Sequence, residues 1–148
     1  MAFTCPSYAP LFYRRYVDDC VLLFRDLSHA DSFLNFLNGR HPNIKFTMEK
    51  QTDSKLPFLD ILVHNDGFHL HTSVYRKPCF SGLGTSFFSY ISKSLRFSAI
   101  SSAIHRAYHL SSSYASFHWE LRFLERFFCD NGFSTGTVHS MLTQSPRC

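Results

Sequence analysis

Residues 11–24, LFYRRYVDDCVLLF, place two short aromatic and branched runs, 11–16 and 20–24, on either side of Val17, Asp18 and Asp19. Side chains of that kind suit a pleated, half-buried surface, so the stretch predicts a tight antiparallel hairpin with acids at its tip. A turn with no use for charge is more easily made by Asn-Gly, and two neighbouring carboxylates repel unless a cation binds them. Their oxygens suit Mg²⁺, which one or two carboxylates hold together with water and phosphate. A bare Asp-Asp is most often a solvated turn. The tetrad Tyr16-Val17-Asp18-Asp19 between two apolar strands is far more specific.

Downstream, Asp26, Leu27 and Ser28 give an N-cap signal, and Ala30, Phe33, Leu34 and Leu37 recur at helical spacing before Asn38-Gly39. That pattern predicts an amphipathic helix over 29–38. Ile44, Phe46 and Met48 alternate with polar residues and predict a strand over 44–49. The runs 57–64 and 68–76 flank Asn65-Asp66-Gly67, which predicts a second hairpin with a primed turn. Pro78, Ser81, Gly82 and Gly84 break the pattern and mark a boundary near 78–90. Beyond it, Ile100, Ala103, Ile104, Ala107 and Tyr108 form one helical stripe. Tyr114, Phe117, Leu121, Leu124 and Phe128 form another, ending at Asn131-Gly132. The short Ser111-Ser112-Ser113 link makes these two helices antiparallel neighbours, and Ser134 caps a weaker third helix carrying Val138, Met141 and Leu142. The expected class is α+β, with one domain at 8–77 and a helical one at 88–144.

The chain has 148 residues, 45% of them hydrophobic, with 17 Phe and 7 Tyr. That is enough apolar surface for one core or two small ones, and it excludes a disordered tail. Net charge is +4, but no acid precedes Asp18 and none lies between Asp66 and Glu120. The second interval holds Arg76, Lys77, Lys93, Arg96 and Arg106. A polyanion is the natural partner of such a field, and a plain solvated basic face is an equal alternative. Cys5, Cys20, Cys79, Cys129 and Cys148 show no CxxC spacing and read as reduced intracellular thiols. No leader pattern and no long apolar run occurs, so a soluble intracellular protein without membrane association is expected. His69/His71 and His105/His109 have spacings compatible with metal, yet exposed histidines outrank zinc in both pairs. Asp60 reads as a structural acid. Trp119 and Phe127 fall off the apolar stripe of their helix and read as a widened core or a packing surface.

Five ordered segments carry a wider resemblance: residues 12–19 (FYRRYVDD), 43–49 (NIKFTME), 56–63 (LPFLDILV), 73–78 (SVYRKP) and 105–108 (HRAY). Together they resemble the reverse transcriptases of Penelope-like retroelements from about residue 8 to about residue 133. The resemblance implies a partial polymerase palm, made of a YxDD hairpin, a helix and antiparallel strands, followed by a helical thumb. It implies an RNA-directed DNA polymerase that uses Mg²⁺ on an RNA template and a DNA primer. Asp18 and Asp19 would be the catalytic, metal-binding pair, and Tyr16 would lie beneath the primer end. Arg76, Lys77, Lys93, Arg96 and Arg106 would meet nucleic-acid phosphates, including those of an RNA–DNA hybrid, in an intracellular, nuclear setting. The upstream palm aspartate and the fingers have no counterpart before Asp18, so the 148-residue chain is expected to be inactive alone. The last helices also resemble a helix-turn-helix domain of retroelement-derived animal proteins, which gives the alternative of a non-catalytic nucleic-acid-binding module. A degenerate retroelement reading frame is the third reading.

Overall fold

The computed structural model describes residues 8–144, and its contacts divide the chain into two compact units, Met1–Lys50 and Gln51–Cys148.

In the first unit, β1 (Phe12–Tyr16) and β2 (Asp19–Leu23) form a two-stranded antiparallel sheet closed by the pair Tyr16–Asp19. Helix α1 (Leu27–Asn38) starts where the Asp26 carboxylate accepts the His29 N–H at 3.0 Å, an N-cap that satisfies a donor with no partner inside the helix. A small aromatic cluster holds this unit: Phe24 lies 5.6 Å from Phe33, and Tyr8 6.3 Å from Phe36. The strand expected over 44–49 is absent. The Asn38 amide takes the place of a partner strand, donating to the Phe46 carbonyl at 3.1 Å and accepting the Phe46 N–H at 2.6 Å. Alternation alone does not make a strand where nothing offers a ladder of backbone partners.

The second unit begins with a three-stranded antiparallel sheet, β3 (Lys55–Phe58), β4 (Ile61–Asn65) and β5 (Leu70–Val74), in that spatial order. The run 57–64 is therefore two strands. The chain reverses at Leu59-Asp60, with Leu59 at φ 53° and Phe58 paired to Ile61. The next connection is a four-residue loop, Asp66 to His69, with Gly67 at φ 89°, in place of the expected two-residue primed turn. The Asp66 carboxylate organises it by accepting the Phe68 and His69 N–H groups at 2.9 and 2.6 Å.

Helices α2 (Lys93–Leu110), α3 (Tyr114–Asp130) and α4 (Thr135–Thr143) follow, capped by Ser92, Ser113 and Ser134. Ile100, Ile104 and Ala107 of α2 pack with Leu124 and Phe128 of α3, with Phe133, and with Val138 and Leu142 of α4 in one core. Strand β5 is stitched to the α2–α3 link: the Thr72 N–H donates to the Ser112 hydroxyl at 2.7 Å, and the Ser112 N–H to the Thr72 carbonyl at 3.0 Å. The break at 78–90 is thus a loop inside one unit, and the division falls after Lys50. The fold is mixed, with four helices and two small antiparallel sheets among the described residues; these features do not single out a polymerase palm. No described helix is long and apolar enough to cross a membrane.

The backbone N–H bonds from His69 and Phe68, with His71 beside them, hold the Asp66 carboxyl down at about 2. A depressed carboxyl stabilises the fold above its ordinary value of 3.8 and loses that contribution as pH falls through about 2. An NMR titration of the Asp66 carboxyl is expected to show its midpoint near 2; an ordinary midpoint would mean that the loop is not organised by this side chain.

Candidate nucleic-acid interface

The link from α3 to α4 is four residues, Asn131 to Ser134, with Gly132 in the left-handed region at φ 90°. A short, glycine-containing turn between two packed helices is the pattern of a helix-turn-helix. Asn131 locks it. Its amide donates to the Phe127 and Gly82 carbonyls at 2.8 and 3.1 Å and accepts the Gly84 N–H at 3.0 Å, so the turn is tied to the loop ahead of α2. Ser134 then caps α4 by accepting the Thr137 N–H. With Val138 and Leu142 buried, α4 exposes Thr135, Gly136, His139, Ser140 and Thr143. That face is small and polar and carries no acid of its own, although the Glu125 carboxylate of α3 meets the His139 ring at 3.3 Å. Nothing lies within 4 Å of a side chain built at Gly136, so the fold does not require glycine there.

The cations expected at phosphates have different fates. Arg76 forks onto the buried Glu120 carboxylate, with Nη1 at 2.9 Å from Oε2, and its guanidinium stacks 3.6 Å over the Phe123 ring. It is a structural staple between the end of the sheet and α3. Arg96 donates through Nη1 to the Phe87 carbonyl and lies 5.0 Å over the Phe87 ring, pinning the loop to α2. Arg106 reaches Asp60 at 3.4 Å across an exposed pair. Lys77 and Lys93 are exposed and remain available. Two cations that the acid-free interval did not include, Arg122 and Arg126, are exposed on α3 and form no ion pair among the described residues. Helical spacing is the signal that finds them: they fall opposite Leu124 and Phe128 on the same helix.

The hairpin places Val17 and Asp18 in its two-residue turn and opens β2 with Asp19; Tyr16, Asp18 and Asp19 are all exposed. Arg15 closes the turn by donating from Nε to the Val17 carbonyl at 2.6 Å. As a Mg²⁺ site this is two adjacent carboxylates on one hairpin, and no group of three or more metal-ligating side chains gathers among the described residues. An ion held there would take most of its shell from water or phosphate. Among the described residues the hairpin offers these two carboxylates alone, and a two-ion centre, whose ions lie about 3.5–4 Å apart, would need further donors.

Removing one partner of a buried ion pair strands the other charge, which costs roughly 3–5 kcal/mol. In chemical denaturation followed by helical circular dichroism, Glu120→Ala is expected to lower stability by an amount of that order, and Arg96→Ala by about 1–2 kcal/mol. Arg122→Ala should stay within about 0.5 kcal/mol of the parent. An unchanged midpoint for Glu120→Ala would remove the staple.

Residues 85–140, which span α2, α3 and most of α4 with the loop before them, match the family model described as the animal helix-turn-helix domain. The match does not extend to the hairpin or to either sheet. No curated protein and no solved structure matches the chain.

Proposed function

We propose that the helical part of the second unit is a helix-turn-helix nucleic-acid-binding module in which α4 enters the groove of duplex DNA. The observation that carries this is the Asn131–Ser134 turn, which presents α4 with a small polar face, most of it inside the segment matching a helix-turn-helix model. In such motifs the second helix lies in the major groove while the first crosses the backbone. The Thr135 and Ser140 hydroxyls and the His139 Nε2 suit base edges, while the Thr143 hydroxyl donates to the His139 and Ser140 carbonyls and His139 Nδ1 faces Glu125. Gly136 lets the backbone come close to the duplex.

Electrostatics set the strength. With Arg76 and Arg96 engaged inside the fold, two to four of the remaining cations would meet phosphates at once, giving a salt slope of about −2 to −4. Affinity for non-cognate duplex is then weak at physiological salt. A duplex DNA target would place the protein in the nucleus.

A second reading rests on the hairpin alone. Asp18 and Asp19 at the tip of an antiparallel pair resemble the YxDD turn of a reverse transcriptase palm, with RNA template, DNA primer and Mg²⁺ as its partners. Because the described residues offer that turn no further carboxylate, template-dependent incorporation by the 148-residue chain with Mg²⁺ is expected to be undetectable. Incorporation abolished by Asp18→Ala would establish the polymerase reading instead.

The binding reading is tested at Gly136. Alanine is a better helix former by up to about 1 kcal/mol, and open space surrounds the position. Gly136→Ala should therefore hold or raise stability while weakening duplex binding in fluorescence anisotropy. Ser140→Glu should weaken it further through repulsion of phosphate, again with the fold intact. Wild-type affinity in both variants would remove α4 from the interface.

A further inference from the structure

The face of α3 turned away from the core carries Tyr114, Ala115, His118, Trp119, Arg122 and Arg126 at helical spacing. Tyr114 and Trp119 are 75% and 72% exposed, an unusual placement for rings that gain most from burial. Each has a partner on the same helix. Tyr114 stacks on His118 with centroids 5.8 Å apart and planes at 13°, and the Arg122 guanidinium sits 5.9 Å from the Trp119 ring. The first five of these residues line one shallow open hollow. Glu120 points inward. Glu125, in the row between Tyr114 and His118, is the acid on this side of the helix before Arg126; it is engaged with His139 at 3.3 Å, and Asp130 follows one turn past Arg126.

Flat aromatic faces interleaved with cations bind unpaired nucleotides: bases stack on the rings, and the phosphates between them meet the charges. A duplex offers no free base face to such a ladder, and an acidic peptide would leave the rings unused. We propose that this face of α3 is a stacking platform for a single-stranded stretch of nucleic acid, with Trp119 under one base, the Tyr114–His118 stack beside a second, and Arg122 and Arg126 on the backbone. The proposal rests on the nucleic-acid reading of the same helices but uses a different surface from the exposed face of α4.

Trp119 is the one tryptophan of the chain, so its fluorescence reports this face alone. The full chain is titrated with oligo(dT), with inorganic polyphosphate, which has charge but no bases, and with a blunt DNA hairpin duplex. Oligo(dT) is expected to quench the emission, and polyphosphate to bind without quenching. In anisotropy, Trp119→Leu should weaken oligo(dT) binding roughly five-fold or more and leave duplex binding unchanged. Arg122→Ala with Arg126→Ala should flatten the oligo(dT) salt slope by roughly 0.7 per lost cation. Oligo(dT) that binds without quenching, equal quenching by polyphosphate, or full affinity in Trp119→Leu overturns the platform. Loss of duplex binding in Gly136→Ala with oligo(dT) quenching intact separates the two surfaces. Quenching by oligo(dT) with no duplex binding at all upholds the platform and overturns the groove reading of α4.

Discussion

A buried carboxylate on α3 constrains the whole second unit. Glu120 faces the interior with its side chain 8% exposed, and a charge out of water is tolerated only with a partner that satisfies its oxygens. Arg76 supplies that partner from just beyond the end of β5. A planar guanidinium suits the role because it forks onto both oxygens and stacks at the same time; here it lies over Phe123. Sheet and helix are thereby fixed at one point by the ion pair and at another by the Thr72–Ser112 exchange. With one side of α3 committed to the helical core and the next to the sheet, the stripe from Ala115 to Arg126 is what remains outside.

The loop between the sheet and α2 completes this arrangement. Gly84 lies where a Cβ would come within 2.3 Å of the Phe127 ring, and Gly132 where one would come within 2.8 Å of Phe88. Both close approaches bring the loop and the α3–α4 turn together, and Asn131 bonds across them. Glycine, serine and proline there mark a packed crossing, although the same composition reads as a boundary when only the sequence is in view.

What was legible in the sequence follows from how local each determinant is. The helices were, because a one-sided apolar stripe and a serine cap are contained within the helix itself. The hairpin at Asp18-Asp19 was, because its turn and both strands lie within a dozen residues. The strand at 44–49 was misread because its backbone partner is a side chain on the preceding helix. The run 57–64 was misread because nothing local announces a left-handed Leu59. Among the cations, sequence distance decides. Arg76 and Glu120 are 44 residues apart, so the pairing that removes Arg76 from the surface is invisible until the chain folds. Arg122 and Arg126 were passed over because Glu120 closed the acid-free interval, although that acid points inward and leaves the outer face positive.

Val17, Gly136 and Trp119 are among the positions that run against what the local structure favours, as the left-handed Leu59 and the exposed Phe68 and Tyr90 also do. Val17 is β-branched yet sits at φ 53° in a two-residue turn, a conformation that costs roughly 1–3 kcal/mol and that Asn or Gly would accept readily. Gly136 lies in the first turn of a helix with open space around it, where alanine would hold the helix better. Trp119 is an indole left in water on a face whose neighbours are cations. Local inconsistency of this kind collects at functional or strained sites. Gly136 and Trp119 both lie within residues 85–140, one on each helix of the helix-turn-helix. Val17 marks the acidic hairpin, which belongs to a separate compact unit. In the functions proposed for it, the helical segment would carry two such surfaces by itself, one for a groove and one for exposed bases, and neither would depend on the chemistry of the carboxylates at Asp18 and Asp19.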